Sequence, residues 1–168
     1  KVEKMEAEKY KNDKLKAQRI YNRATPIKGT LGEKYIREFR GIDGPIPEDF
    51  RFMEKCKHGM LNAFHPAIIV PSKNKNGTIV ALNRIFLGKD GNKLAAKTVD
   101  GKKIDTKIGI GAVKYGSISV QKNKQSSICF ITEGTEDALA IKQVNQKDNI
   151  KCNIGLSQMK NIKFEPHI

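Results

Sequence analysis

Ile128-Cys129-Phe130-Ile131-Thr132-Glu133-Gly134-Thr135-Glu136-Asp137-Ala138-Leu139-Ala140 changes character at its centre. Its first four residues are apolar without a break, as in a strand buried on both faces. From Thr135 to about Asn145 the composition is helical, and Glu136 and Asp137 place acids in the first turn, where they complement the helix dipole. Gly134, between the two parts, permits a tight strand-to-helix turn. Downstream, Ile150 to Ile154 reads as a second strand, and Ser157 as the cap of a short final helix through Ile162. Strand, helix, strand in this order predicts a βαβ unit with a parallel pair. The fold class is therefore α/β with α+β character.

Working outward from that unit, Thr78 to Leu87 is a strand whose two faces are both mostly apolar. Ala67-Ile68-Ile69-Val70 is its shorter partner, closed by Pro71, and Asn76-Gly77 between them is a strong hairpin signal. Residues 89–124 carry nine Lys against three Asp, a balance of +6, and many Gly; they read as loops with one short strand near Ala112–Tyr115. Residues 1–24 lack Gly and Pro and form a helix, with Ala17, Ile20, Tyr21 and Ala24 on one apolar face and a polar first half that protrudes. Thr30 caps a further helix to about Arg40, with Glu33 completing a capping box and Leu31, Tyr35 and Phe39 along one side. This divides the chain into a helical segment (1–49), a β-hairpin and basic loop region (50–124) and a βαβ half (125–168).

The net charge of +14 favours an anionic partner by counterion release, with nucleic acid the default. A Lys-rich composition alone would also produce such a charge. Cys56, Cys129 and Cys152 are odd in number and widely spaced, which fits a reducing, cytoplasmic setting rather than a disulfide framework, and Cys129 reads as a core thiol. Cys56, His58 and His65 match no zinc spacing. No apolar run approaches the roughly 20 residues needed to span a bilayer, so no membrane association is expected. The chain begins at Lys1 rather than Met, as a piece of a longer polypeptide would.

Glu133 lies at the carboxyl end of a strand, where open α/β sheets bind ligands. A carboxylate there can hold a divalent cation such as Mg²⁺, or serve as acid or base in phosphoryl chemistry. It can also do no more than cap the free amides of the following helix. No Ser/His/Asp or Cys/His arrangement is evident, and Gly109-Ile110-Gly111 is too short for a phosphate-binding loop.

The segment Ile131 to Ala140 resembles the first motif of Toprim domains, in particular the Toprim-like domains of plasmid, phage and conjugative primases and of large conjugative relaxases. Other stretches resemble that family in the same order: Ala24 to Arg37, Arg40-Gly41-Ile42, Phe50-Arg51-Phe52, His65-Pro66-Ala67, Leu82 to Leu87 followed by Asp90-Gly91, and Leu156-Ser157 through Ile162. The likeness covers about residues 17–165. It implies a catalytic and metal-holding role for Glu133, supported by Gly134 and Asp137, and a DNA partner, single-stranded in character, alongside other conjugation or replication proteins. It also implies a second acidic motif, Asp-x-Asp. No Asp follows Asp148 here, so Mg²⁺ is expected in a longer parent and no cofactor in this chain alone. Arg37, Arg84 and the lysines of 89–124, with Lys93, Lys97 and Lys114 named among them, are the candidate phosphate contacts, and Phe86 and Tyr115 the candidate stacking rings. The competing expectation is a non-catalytic module, docking through its N-terminal helix, that recruits partners to a conjugative DNA-processing complex.

Overall fold

A computed structural model of the chain describes residues 2–97, 100–162, 164 and 166–168. Helix α1 spans Val2–Arg23. After it come the short strand β1 (Thr25–Pro26), α2 (Leu31–Lys34), and the long strands β2 (Arg51–His58), β3 (Ala63–Lys73) and β4 (Ile79–Phe86), then β5 (Lys107–Gly111). These strands form one antiparallel sheet in the order β1-β2-β3-β4-β5. Strands β6 (Ile118–Gln121), β7 (Cys129–Thr132) and β8 (Asn149–Cys152), with α3 (Thr135–Val144) between the last two, make a second sheet in the order β6-β8-β7. Strands β7 and β8 are parallel, with Thr132 opposite Cys152, so β7-α3-β8 is the expected βαβ unit. The fold is mixed α/β.

Strand β4 explains the layering. It is paired on both sides, and every residue from Val80 to Phe86 is buried. Leu82 and Phe86, with Ala67 and Ile69 of β3, pack under Ala17, Tyr21 and Ala24 at the end of α1. Ile85, with Ile68 and Val70, faces the other way, onto Tyr35 and Ile36 and onto Ile118, Leu139 and Ile150 of the smaller sheet. One core therefore joins the two sheets. The first half of α1 is exposed, as its polar composition requires.

Several expectations need correction. The 89–124 region holds two strands, β5 and β6, while Val113–Tyr115 is a 3₁₀ turn rather than a strand. In β5 the glycines alternate with Ile108 and Ile110 because neighbours come too close for a side chain. A Cβ on Gly109 would lie 2.8 Å from Ile154 Cγ2, and one on Gly111 2.8 Å from Ala17 Cβ. Strand β3 runs through Pro71; its ladder to β2 ends at the Arg51–Ile69 pair, so a proline beyond it costs that ladder nothing. Strand β7 is an edge strand and not buried: Ile128, Phe130 and Ile131 are 55%, 39% and 39% exposed, and Cys129 is only half-buried. Ser157 lies within the final 3₁₀ turn, Leu156–Asn161, which Gly155 precedes without a side-chain cap.

The second helix is also shorter than its composition suggests. Thr30 Oγ1 accepts from Gly32 N, but Glu33 reaches Gly29 N rather than the cap residue. After Lys34 the chain widens into a π turn, Tyr35–Phe39, closed by Arg40 N–H donating to Tyr35 O at 3.0 Å. The wider turn rotates Phe39 off the buried face, leaving it 41% exposed while Tyr35 stays in the core.

Candidate functional site in the cleft between the sheets

The carboxyl ends of β7 and β8 face the middle of β4 and the start of β5 across a cleft of about 710 Å³. Arg84 and Lys107 line it from the larger sheet, and Glu133, Gly134, Asp137 and Asn153 from the smaller. The chain reaches this arrangement by local means. Thr132 Oγ1 donates to Gly134 O at 2.8 Å and ties down the turn, and Ala138 N–H donates to the same carbonyl to start α3. A Cβ on Gly134 would sit 2.8 Å from Asp137 Oδ2 and 3.6 Å from Lys107 Nζ, so the Asp137 carboxylate would have to swing aside. Those two groups therefore converge on the turn.

Arg84 is 8% exposed. Its Nη1 donates to Lys57 O at 3.1 Å, and its Nε points to Ile108 O at 3.4 Å. Among the described residues it forms no ion pair with a carboxylate, so a nearly buried guanidinium is held by carbonyls at the edge of a cleft. Burial of an unpaired cation is costly, and an anion in the cleft would offset that cost. Beside it, Asn83 is 3% exposed; its Nδ2 donates to Thr135 Oγ1 at the start of α3, at 3.2 Å, and its Oδ1 has no donor.

Glu136, not Glu133, is the buried acid. It is 3% exposed, with Lys107 Nζ 2.9 Å from its Oε2 and Tyr35 Oη donating to its Oε1 at 3.1 Å. Burial works against the charged carboxylate, but Lys107 and Tyr35 outweigh it and hold Glu136 below the usual glutamate range. Burial, and then the adjacent Glu136 charge, push the Tyr35 phenol well above its ordinary value. Burial likewise pulls the Lys93 ammonium down, helped by the like charge of Lys107. Cys152, behind the cleft, is pushed up to about 12 by burial, so it stays a thiol and is no nucleophile.

Of the residues singled out from the sequence, Arg84, Glu133, Gly134 and Asp137 meet in this cleft. The other candidates lie elsewhere. Arg37 donates to the carbonyls of Ile42 and Gly44, at 2.8 and 2.6 Å, and sits 3.8 Å from Glu33, so its guanidinium is occupied by its own loop. Lys93 does not line the cleft, though its ammonium lies near enough to feel the charges of Lys107 and Glu136, and Lys97 bridges to Lys103 in the basic loop. Lys114 lies 4.9 Å from the Tyr115 ring centre, on the α1 side. Phe86 is fully buried against His58 and cannot stack on a base, whereas Tyr115 is 44% exposed. His58 is itself occupied: Leu61 N–H donates to Nδ1, so Nε2 carries the hydrogen and donates to Asp105 O.

Asn83 is a site residue that the sequence reading missed, and Lys107 was one of the 89–124 lysines expected to contact phosphate without being singled out among them. Asn83 carried a signal, a polar side chain in an otherwise apolar strand. Among the described residues no group of three His, Cys, Asp or Glu side chains could hold a metal ion.

Residues 11–115 match the model of a family described as a domain of unknown function, DUF7146. That span includes the whole five-stranded sheet, and with it Asn83, Arg84 and Lys107, and it stops before Glu133. No curated protein matches the chain.

Proposed function

We propose, from the premise that this chain belongs to the DUF7146 family, that it is a DNA-processing module of the primase and conjugative-relaxase kind, working on single-stranded DNA in the cleft between its sheets. The observation that carries this reading is the meeting of Arg84 and Lys107 with Glu133 and Asp137 at the carboxyl ends of a parallel strand pair. Cations in that position take phosphate oxygens, and strand carboxyl ends are where such sheets bind ligands. The likeness of Ile131 to Ala140 to the first Toprim motif gives Glu133 its proposed role.

Mg²⁺ fits the donor set in part. Glu133 and Asp137 offer two hard carboxylates, and Asn83 Oδ1 is an unmatched acceptor nearby. A cation that binds through one or two carboxylates and completes its shell with water and phosphate suits such a partial site. Glu133 and Asp137 would hold it, and it would neutralise phosphate charge beside them. Arg84 would orient the backbone, while Lys107 keeps Glu136 ionised and the two sheets in register. The proposed setting is the cytoplasm, among other replication or conjugation proteins; no helix among the described residues is long and apolar enough to cross a membrane.

Arg84→Gln tests the cleft. Its affinity for oligothymidylate is expected to fall about tenfold, the cost of losing one charge-assisted contact, and the log–log salt slope to shrink by about 0.7. Circular dichroism checks that the variant is folded. A folded variant that binds like the wild type sinks the assignment.

The exposed first half of α1, with Val2 and Met5 at 71% and 66%, favours a second reading as a docking module without catalysis. Glu133→Ala separates the two in a longer protein that carries this chain. Lost primer synthesis or DNA transfer supports the first reading, and unchanged activity the second.

A further inference from the structure

We infer that Arg40, Lys93 and Lys103 join Lys107 in a phosphate subsite, contiguous with the cleft, that holds the backbone of a single strand where it leaves Arg84 and Glu133; this rests on the reading of the chain as a single-stranded DNA module. Strand register builds the subsite. Lys107 lies opposite Ile85, and Lys93 opposite Leu87. Both partners run along the same side of β4: Phe86 N–H donates to Thr106 O at 2.8 Å, and Phe86 O accepts from Leu94 N–H at 3.0 Å. Ile85 and Leu87 point into the core shared with the smaller sheet. Residues opposed across an antiparallel pair share a face. The two lysines therefore leave the sheet on the side of α3, two residues apart along β4, about 7 Å. Lys107 lines the cleft, and Lys93 stands just outside it.

Two further elements bring cations to the same place. The turn before Lys93 rests on the π turn, where a Cβ on Gly91 would lie 3.4 Å from Lys34 Cδ and 3.8 Å from Phe39 Cε2. Arg40 closes that π turn. Lys103 returns from the basic loop, held there by Ile104 N–H donating to Ala96 O at 3.2 Å. The crowding is felt at Lys93. Burial first, and then the charge of Lys107, hold its ammonium below the usual lysine range; Lys103 and Arg40 add to this and Glu136 opposes it. Four cations thus gather about one carboxylate, and that carboxylate already has Lys107 and Tyr35 as partners. Arg40, Lys93 and Lys103 are exposed, and among the described residues none of them forms an ion pair. Like charges held together without a counterion gain by taking an anion, and ammonium and guanidinium groups both suit phosphate oxygens. Such side chains grip the backbone and read no base edge, so the subsite positions a strand without selecting its sequence.

The experiment uses the 168-residue chain and fluorescein-labelled oligothymidylate, with anisotropy followed over a salt series. The double variant Lys93→Gln/Lys103→Gln is expected to lose about 1.4 from the log–log salt slope, two phosphate contacts at about 0.7 each for a single strand. A control, Lys4→Gln/Lys9→Gln, removes the same charge from the exposed half of α1 and is expected to keep the wild-type slope. Removing Lys93 and Lys103 relieves like-charge crowding, so a thermal melt is expected to show no loss of stability. If the Lys93/Lys103 variant binds as the wild type does while Arg84→Gln is weakened, the subsite is wrong and the cleft stands. If that variant is weakened and Arg84→Gln is not, the subsite stands as a site in its own right and the cleft assignment fails. Equal losses of slope in the two double variants would show that net charge alone draws the strand, and would overturn the subsite. A wild type that does not bind at low salt removes both.

Discussion

Lys107→Met is expected to lower the unfolding free energy by about 2 kcal/mol at pH 7, measured by urea denaturation, less than a fully buried pair would cost because Lys107 is 36% exposed and solvent screens it. The substitution keeps most of the apolar stem and removes the ammonium, with its charge and its donors. Glu136, 3% exposed, then stays in the interior with Tyr35 as its remaining side-chain partner. Breaking a buried pair from one side costs more than the pair itself contributes, because an uncompensated charge is left behind.

The pH dependence supplies a second reading of the same contact. In the wild type Glu136 is held below the usual glutamate range, so its contribution is complete above the unfolded value of about 4.3 and is lost as pH falls through the lower folded value. In the variant the main cause of the lowering is gone, only the Tyr35 and backbone hydrogen bonds still oppose burial, and the folded value is expected to rise above the unfolded one. The variant then gains stability on protonation as pH falls, where the wild type loses it. The gap between the two should narrow steadily below about pH 5. A gap under about 1 kcal/mol at pH 7, or one independent of pH, would show that Lys107 is not what keeps Glu136 ionised.

Gly111→Ala is expected to cost about 3 kcal/mol and to lower the melting temperature by about 10 °C. Two effects combine. The residue sits at φ +96°, a conformation that side chains resist. The new Cβ would also lie 2.7 Å from Val80 O and 2.8 Å from Ala17 Cβ, so neither the β4 backbone nor α1 can hold its place. The loss should appear first as separation of α1 from the sheet, with faster amide exchange around Ala17 and Tyr21. A melting temperature within about 2 °C of the wild type would mean that the contact between α1 and β5 is looser than the structure has it.

Elements written in local chemistry were legible before any coordinates. The β7-α3-β8 order followed from an apolar run, a glycine and two first-turn acids. The β3–β4 hairpin followed from Asn76-Gly77, and there Gly77 does adopt a positive φ, +77°. The end of α1 followed from Ala17, Tyr21 and Ala24. What failed depended on neighbours distant in sequence. Gly109 and Gly111 read as loop because glycine usually breaks a strand, whereas here Ile154 and Ala17 approach too closely for anything larger. The apolar run in β7 signalled burial, but hydrophobicity does not say whether a neighbouring strand exists, and β7 has β8 on one side only.

In the site, the strand-end position of Glu133 was legible, and so was Arg84. The inward turn of Glu136 was not, although it lies three residues before Leu139 and so shares that buried helix face. Lys107 could be counted with the basic-loop lysines but not singled out from them, because nothing near it in sequence places it opposite α3.

The central claim is that the cleft between the sheets receives single-stranded DNA. Hydrogen–deuterium exchange of the wild-type chain, with and without saturating oligothymidylate, tests it most directly. The expected result is slowed exchange of the amides at Ile108–Ala112 and Glu133–Ala138, on the two walls of the cleft. Saturated binding that leaves both segments exchanging at their free rates would contradict the account.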